Sequence, residues 1–350
     1  RTQRTRTPRS STRLRRRHRR RRPRWTRWSS RSRCRSPRPA AQRLHQTHGR
    51  PVQPLGEHRR TSGRLHLTGA AFGDAPHRRV ARAQNKHATA APLSQLMPIG
   101  MVYDNGIPVR SPDRNRRDPA FILKVRPYKN MKVDGREIVK PGAKLPLKQA
   151  VGAAQVDLTF VAAARKFIAA PKGAKKNPLA GSVPPKSEDL SDNANSVASL
   201  ISVGGFRFLD CGDLTWNMEA ELVEPVNRVG KVDVYQVNHH GLATSNNPVL
   251  IKSVAPTVSV MNNGHTKGCS PTAFAALTAT KSIQAMYQVH KNLRADGKQN
   301  NTAEEFIANL DEPKECKAIA LKMSVTADGK GYTIFNPRNN YQQTFKTRQH

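Results

Sequence analysis

Aromatic residues make up only 5% of this 350-residue chain, cysteines number four, and no long apolar run occurs in it. A membrane-spanning helix needs about 18–20 consecutive apolar residues, so none is expected. The cysteines, Cys34, Cys211, Cys269 and Cys316, form no C-x-x-C pair and no even spacing. That excludes a zinc ribbon and a disulfide framework, and it points to thiols kept in a reducing compartment. The basic start at Arg1 is not followed by an apolar stretch, which argues against a secretory signal and for a cytoplasmic location. No Gly-Lys-Ser/Thr loop is present to cradle a triphosphate, so nucleoside triphosphatase chemistry is not expected.

Acidic residues are scarce, 24 against 61 Lys and Arg, and the formal net charge is +37. That charge divides unevenly. Residues 1–90 hold 26 Arg and one Lys against Glu57 and Asp74, a net +25, and contain no Ile, Met or Tyr. Residues 91–350 hold 12 Arg and 22 Lys against 22 acids, a net +12, so the preference for Arg over Lys inverts near residue 90. A segment with so little apolar surface cannot offset its chain entropy, and residues 1–95 are read as a disordered Arg-rich segment.

Three readings of that segment compete. It is a basic arm that binds nucleic acid nonspecifically by neutralising phosphates, with Trp25 and Trp28 available to stack on bases. It is a targeting peptide, although the run 15–22 lacks an amphipathic period. Or it is GC-rich DNA translated out of frame, which yields mainly Arg, Pro, Ala, Ser, Thr and Gly. The third reading is favoured.

From about Leu96 the pattern changes to that of a folded protein. Residues 97–104 (MPIGMVYD), 121–125 (FILKV) and 156–162 (VDLTFVA) read as strands, with a turn at Pro141-Gly142. Residues 171–192, rich in Pro, Gly, Lys and Ser, read as a surface loop or linker. Residues 197–203 and 206–211 read as a hairpin about Gly204-Gly205. Residues 216–229 then offer Met218, Leu222, Val223 and Val226 at helical spacing after Thr215 as a possible N-cap. Strands at 233–237, 257–261 and 285–289 alternate with helices at 247–254 and 271–280, the second with Pro near its first turn. A final hairpin, 318–326 with 332–335, turns at Asp328-Gly329. Strands alternating with helices and closing in a hairpin give an α/β layered domain over residues 96–350.

Two short runs carry the chemistry. FLDCGD (208–213) is an apolar strand ending in Gly-Asp, and VYQVNHHG (234–241) is an apolar strand ending in His-His-Gly. A helix between them makes the two strands neighbours, which brings Asp213 near His239 or His240. Carboxylate and imidazole together suit a borderline divalent ion. Taken singly, a Gly-Asp is as readily a helix cap, and a histidine pair as readily a loop contact; their joint placement is the signal. His265, in NNGHTKG, reads as a surface-loop residue, and His290 ends another strand, from which it is expected to face the site.

The runs NANS (193–196), GGFRFLDCGD, VDVYQVNHHG and SNNP (245–248), with the closing segments NLRADGKQNNTAEEFIANL and DGKGYTIFNPRNNYQQTFK, resemble the metallo-β-lactamase superfamily, and within it the soluble hydrolase branch of ComEC-type DNA-uptake proteins. The resemblance covers roughly residues 96–350. It implies an αββα layered sandwich, here mainly its C-terminal half, and two zinc ions, with manganese or iron as alternatives. It further implies Asp213 as the catalytic carboxylate bridging the metals and His239 or His240 as ligands. The NANS turn, with Asn195, stands where many relatives place a metal-binding histidine, and Asn195 and His290 are expected to contact substrate. The implied reaction is hydrolysis of a small-molecule or phosphodiester substrate, the latter preferred.

The family's principal metal motif, His-x-His-x-Asp-His, is absent. The twelve histidines stand at 18, 45, 48, 58, 66, 77, 87, 239, 240, 265, 290 and 350, so none falls between residues 88 and 238. Activity is therefore expected to be impaired. The rival classes are a nucleic-acid binder acting through residues 1–90 and a noncatalytic scaffold.

Overall fold

The structure is a computed structural model that describes residues 65–68, 87–114, 118–311 and 319–348. The expectations for most of the Arg-rich segment and for Cys34 and Cys316 lie outside the described residues. Among those described the fold is mixed α/β.

An eight-stranded sheet forms the centre. In chain order its strands are β4 (Val156–Ala163), β5 (Lys166–Phe167), β6 (Ala198–Val203), β7 (Phe206–Asp210), β8 (Val234–Gln236), β9 (Val258–Met261), β10 (Ala285–His290) and β11 (Ile307–Asn309). Their spatial order is β11-β10-β9-β8-β7-β6-β4-β5. The strands β7 through β11 run parallel to one another, whereas the pairs β6–β7, β4–β6 and β4–β5 are antiparallel. Every residue of β9 is buried, as expected for a parallel strand covered on both faces. Three helices, α3 (Trp216–Val223), α4 (Pro248–Val254) and α5 (Pro271–Thr278), connect the parallel strands and pack on one face through Leu222, Val223, Leu250, Ile251 and Leu277.

The opposite face meets a second sheet in the order β1 (Leu65–Thr68), β12 (Lys322–Val325), β13 (Gly331–Asn336) and β14 (Tyr341–Lys346). Phe206, Phe208, Val234 and Tyr287 from the first sheet share a buried cluster with Met323, Tyr332, Ile334 and Phe345 from the second. The far face of this second sheet presents Lys322, Ser324, Thr333, Phe335, Gln342 and Thr344 to a groove of about 420 Å³. The described layers are thus helix, sheet, sheet.

A smaller cluster joins α1 (His87–Leu96), α2 (Phe121–Lys129) and β2 (Met101–Asp104), which pairs in parallel with β3 (Gly135–Ile138). Residues 121–125 are helical rather than extended. Phe121, Val125 and Tyr128 recur at the i, i+4, i+7 positions of one face, and that face is the buried one. The helix expected over 216–229 stops at Val223 because Pro225 lacks the N–H needed to continue it. Thr215 precedes it with extended backbone but makes no side-chain cap bond, whereas Asn247 does cap α4 by accepting from Val249 N–H. Residues 171–187 form no regular element, yet Asn177 Nδ2 donates to Val223 O and to Ser253 Oγ, which ties the segment to α3 and α4.

Phe206 is fully buried, with its ring centroid 5.0 Å from that of Tyr332 across the two sheets. Phe206→Ala is expected to lower stability by about 3–5 kcal/mol, read from the urea unfolding midpoint.

Candidate active site at the sheet rim

Parallel strands deliver their C-terminal ends to one edge of a sheet, and ligands of open α/β sheets bind at such edges. Here the loops after β7, β8 and β9 and the last residue of β10 meet there. The turn at Asp192–Asn195 joins them, because β6 runs antiparallel to β7 and so begins at the same rim.

The β7 end is shaped by an aspartate turn. Asp210 Oδ1 accepts from Gly212 N–H at 2.8 Å, and Gly212 takes φ +58°, which a glycine adopts without strain. The next residue is Asp213. Gly212 O accepts from His239 N–H at 2.9 Å, so the loops carrying the carboxylate and the histidines are joined through their backbones. The β8 end is less ordinary. His239 (φ 50°, ψ 41°), His240 (φ 59°, ψ 15°) and Gly241 (φ 78°) are all left-handed in succession. Non-glycine residues held so cost energy, and such conformations cluster at functional sites. Carbonyls of the run are secured by Cys269 N–H to His240 O at 2.9 Å and Ser270 N–H to Gly241 O at 2.8 Å. Gly268 makes that approach possible, because a Cβ there would lie 2.0 Å from His240 O.

Asp213 Oδ1 and His240 Nε2 stand 3.9 Å apart. His240 Nδ1 lies 2.8 Å from Asn262 O, and since a carbonyl only accepts, that nitrogen carries the proton. In the neutral ring Nε2 therefore presents its lone pair on the side of Asp213. This is the orientation that a backbone carbonyl commonly imposes on a metal-binding imidazole.

His239 points elsewhere. Its Nε2 is 3.3 Å from Asn193 Nδ2, and its Nδ1 lies 3.2 Å from Ser245 Oγ and 3.3 Å from Thr244 Oγ1. Ser245 Oγ donates to Leu214 O at 2.7 Å, so towards His239 it accepts. A consistent chain follows, with Nδ1–H donated to Ser245 and the Nε2 lone pair taken by the Asn193 amide. Asn193, rather than Asn195, is the residue of the NANS run that reaches a histidine. Asn195 Nδ2 turns back to Asp192 Oδ1 at 3.0 Å, as two residues of a tight turn face different ways.

His265 and His290 meet each other, with ring centroids 4.7 Å apart in an edge-on arrangement. His290 Nδ1 lies 2.6 Å from Asn263 O, and His265 Nδ1 lies 3.0 Å from Lys291 O. His265 is buried, at 7% exposure, which corrects the surface-loop expectation: the loop folds back so that its imidazole packs on the end of β10.

Glu219 lies beneath this rim. The sequence reading passed over it, although a carboxylate three and four residues before Leu222 and Val223 on one helical face was the available signal. It is fully buried and accepts from Asn238 Nδ2, from Asn246 N–H at 2.9 Å and from Asn247 N–H at 2.6 Å. Burial pushes its carboxyl up to about 7, against the pull of those three donors and of Lys186.

Does this rim fit a zinc pair? Catalytic zinc sites supply three protein ligands per ion. Asp213 and His240 supply two converging donors, and His239 is engaged by Asn193. No group of three or more His, Cys, Asp or Glu side chains is arranged to hold a metal among the described residues. The described side chains do not fit a dinuclear centre.

Two outcomes follow. Gly268→Ala is expected to cost about 2–4 kcal/mol by urea unfolding, through the clash with His240 O and a φ of +83°. Gly181→Ala, with similar φ but open space, is expected to cost only about 1 kcal/mol. For Glu219, the native state holds the proton more tightly than the unfolded chain, whose carboxyl titrates near 4.5. Its contribution is therefore complete below pH 4.5 and is lost as pH rises through about 7. Relative to Glu219→Gln, the wild type should lose on the order of 3 kcal/mol across that window, measured by unfolding at a series of pH values.

No family model and no curated protein matches the chain. A solved structure described as "Putative metal-dependent hydrolase from Parabacteroides distasonis" is similar to it at a TM-score of 0.27 and 12% identity, over 55% of this chain and 78% of that one.

Proposed function

We propose that the chain is a metal-dependent hydrolase domain of metallo-β-lactamase type, of the branch that acts on phosphodiesters, in which only part of the metal site is supplied. The observation that carries this reading is the approach of Asp213 Oδ1 to His240 Nε2 at 3.9 Å on a parallel-sheet rim. It is supported by the sequence resemblance and by the left-handed run that aims His240. In an intact relative the metals would lower the pKa of a bound water towards about 7 and so supply hydroxide at neutral pH. In this chain the carboxylate and the imidazole are left as two donors, with the Asn193 amide occupying the second histidine. His290, packed on His265 at the neighbouring strand end, is assigned to the substrate side of the rim.

The expected outcome is zinc binding of at most one ion per chain by equilibrium dialysis, lost in Asp213→Ala and in His240→Ala. Hydrolysis of bis(p-nitrophenyl) phosphate with added zinc or manganese should match the protein-free blank. Turnover that is well above blank and disappears in Asp213→Ala would contradict the partial site. Zinc binding unchanged in both variants would remove the hydrolase reading itself.

A further inference from the structure

We infer that Glu219 is the positioning residue of this rim: its buried carboxylate clamps both ends of the loop 238–247 and so holds His240 towards Asp213. The inference rests on the reading of Asp213 and His240 as the reactive pair, but it concerns the loop's geometry.

The loop leaves β8 at Asn238 and enters α4 after Asn247. Within it His239, His240, Gly241 and Asn246 all have positive φ, so backbone preference alone would not keep its shape. It has no strand ladder of its own. Two side chains from other elements join its ends: Tyr235 on β8, whose hydroxyl accepts from Asn238 N–H at 3.3 Å and donates to Asn246 Oδ1 at 3.4 Å, and Glu219, whose contacts are shorter. Glu219 Oε1 takes the Asn238 amide at the start and Asn246 N–H at the end, and Oε2 takes Asn247 N–H. Asn246 reinforces the closure by donating to Asn238 O and to Leu242 O, both at 3.1 Å. The histidines lie between the clamped ends.

The chemistry requires a carboxylate. Three donors converge on two oxygens, and an amide of the same shape offers one oxygen and a further donor. Glu219→Gln would therefore set an N–H against an N–H in a fully buried site, at a cost comparable to losing hydrogen bonds to a charged group. A helix residue serving only to pack α3 on α4 would make no such distinction between Glu and Gln.

The test uses the metal-free protein with no substrate, at pH 8. In Glu219→Gln, the amides of His239, Leu242 and Cys269, none bonded to Glu219, should exchange with solvent about tenfold or more faster, while those of β9 and β10 keep their wild-type rates. The imidazole nitrogen resonances of His239 and His240 should shift, and those of His265 and His290 should stay in place. Unchanged exchange at the three amides with unmoved His239 and His240 signals would overturn the clamp. Uniform acceleration over the whole sheet with all four histidines shifting together would overturn it equally, since that is the signature of general destabilisation. Should Glu219→Gln not fold, Asn238→Ala removes one of the three donors and is judged by the same pattern at smaller amplitude. Loss of zinc binding in dialysis bears on the hydrolase reading and leaves these readouts untouched, so the two claims fail separately.

Discussion

Three successive left-handed residues after β8 set the geometry on which the rim depends. Each such non-glycine residue costs on the order of 1–3 kcal/mol unless its surroundings over-determine it. Here they do. Gly212 O holds the amide of His239, Cys269 and Ser270 hold the carbonyls of His240 and Gly241, and Gly268 allows the close approach. Relaxing any of these lets the backbone return to common angles and turns the His240 imidazole away from Asp213. The strain is thus shared among the loops after β7, β8 and β9, which explains why glycines punctuate all three.

The same arrangement accounts for what the rim lacks. A parallel sheet gathers side chains from several strand ends, and the described strands bring a carboxylate, four imidazoles and several asparagines to one edge. Yet they gather in pairs rather than in one cluster. Asp213 faces His240, Asn193 faces His239, and His265 faces His290. Three of the imidazoles have Nδ1 committed to a backbone carbonyl, so that their neutral rings carry the lone pair on Nε2. The absent His-x-His-x-Asp-His motif is the natural supplier of the remaining donors in proteins of the family this chain resembles.

Much of the sheet was legible because buried parallel strands read as short apolar runs. VYQ, VSVM and AMYQVH announced β8, β9 and β10, and glycine pairs marked the hairpins. The convergence of Asp213 with His240 followed from the same logic of adjacent strand ends. What escaped was set by tertiary context. The helix at Phe121 was hidden because FILKV fits either period over five residues, and only Tyr128 extends the helical one. The strands β3, β11 and β14 are short or polar, with too little alternation to stand out. The NANS turn was legible as part of the rim, with Asn195 expected to contact substrate; that Asn193 is the residue meeting His239 was not, since spacing alone does not say which side of a tight turn faces the site. Glu219 was overlooked because a lone glutamate in a helix usually faces water, and only the donors at 238, 246 and 247 give it a reason to be buried.

A zinc-soaked crystal of the full chain, with anomalous scattering recorded at the zinc edge, tests the account most directly. One ion is expected between Asp213 Oδ1 and His240 Nε2, with no third protein side chain bound to it and His239 still on Asn193. An ion held by three or more protein ligands including His239, or zinc sites lying wholly away from this pair, would contradict it.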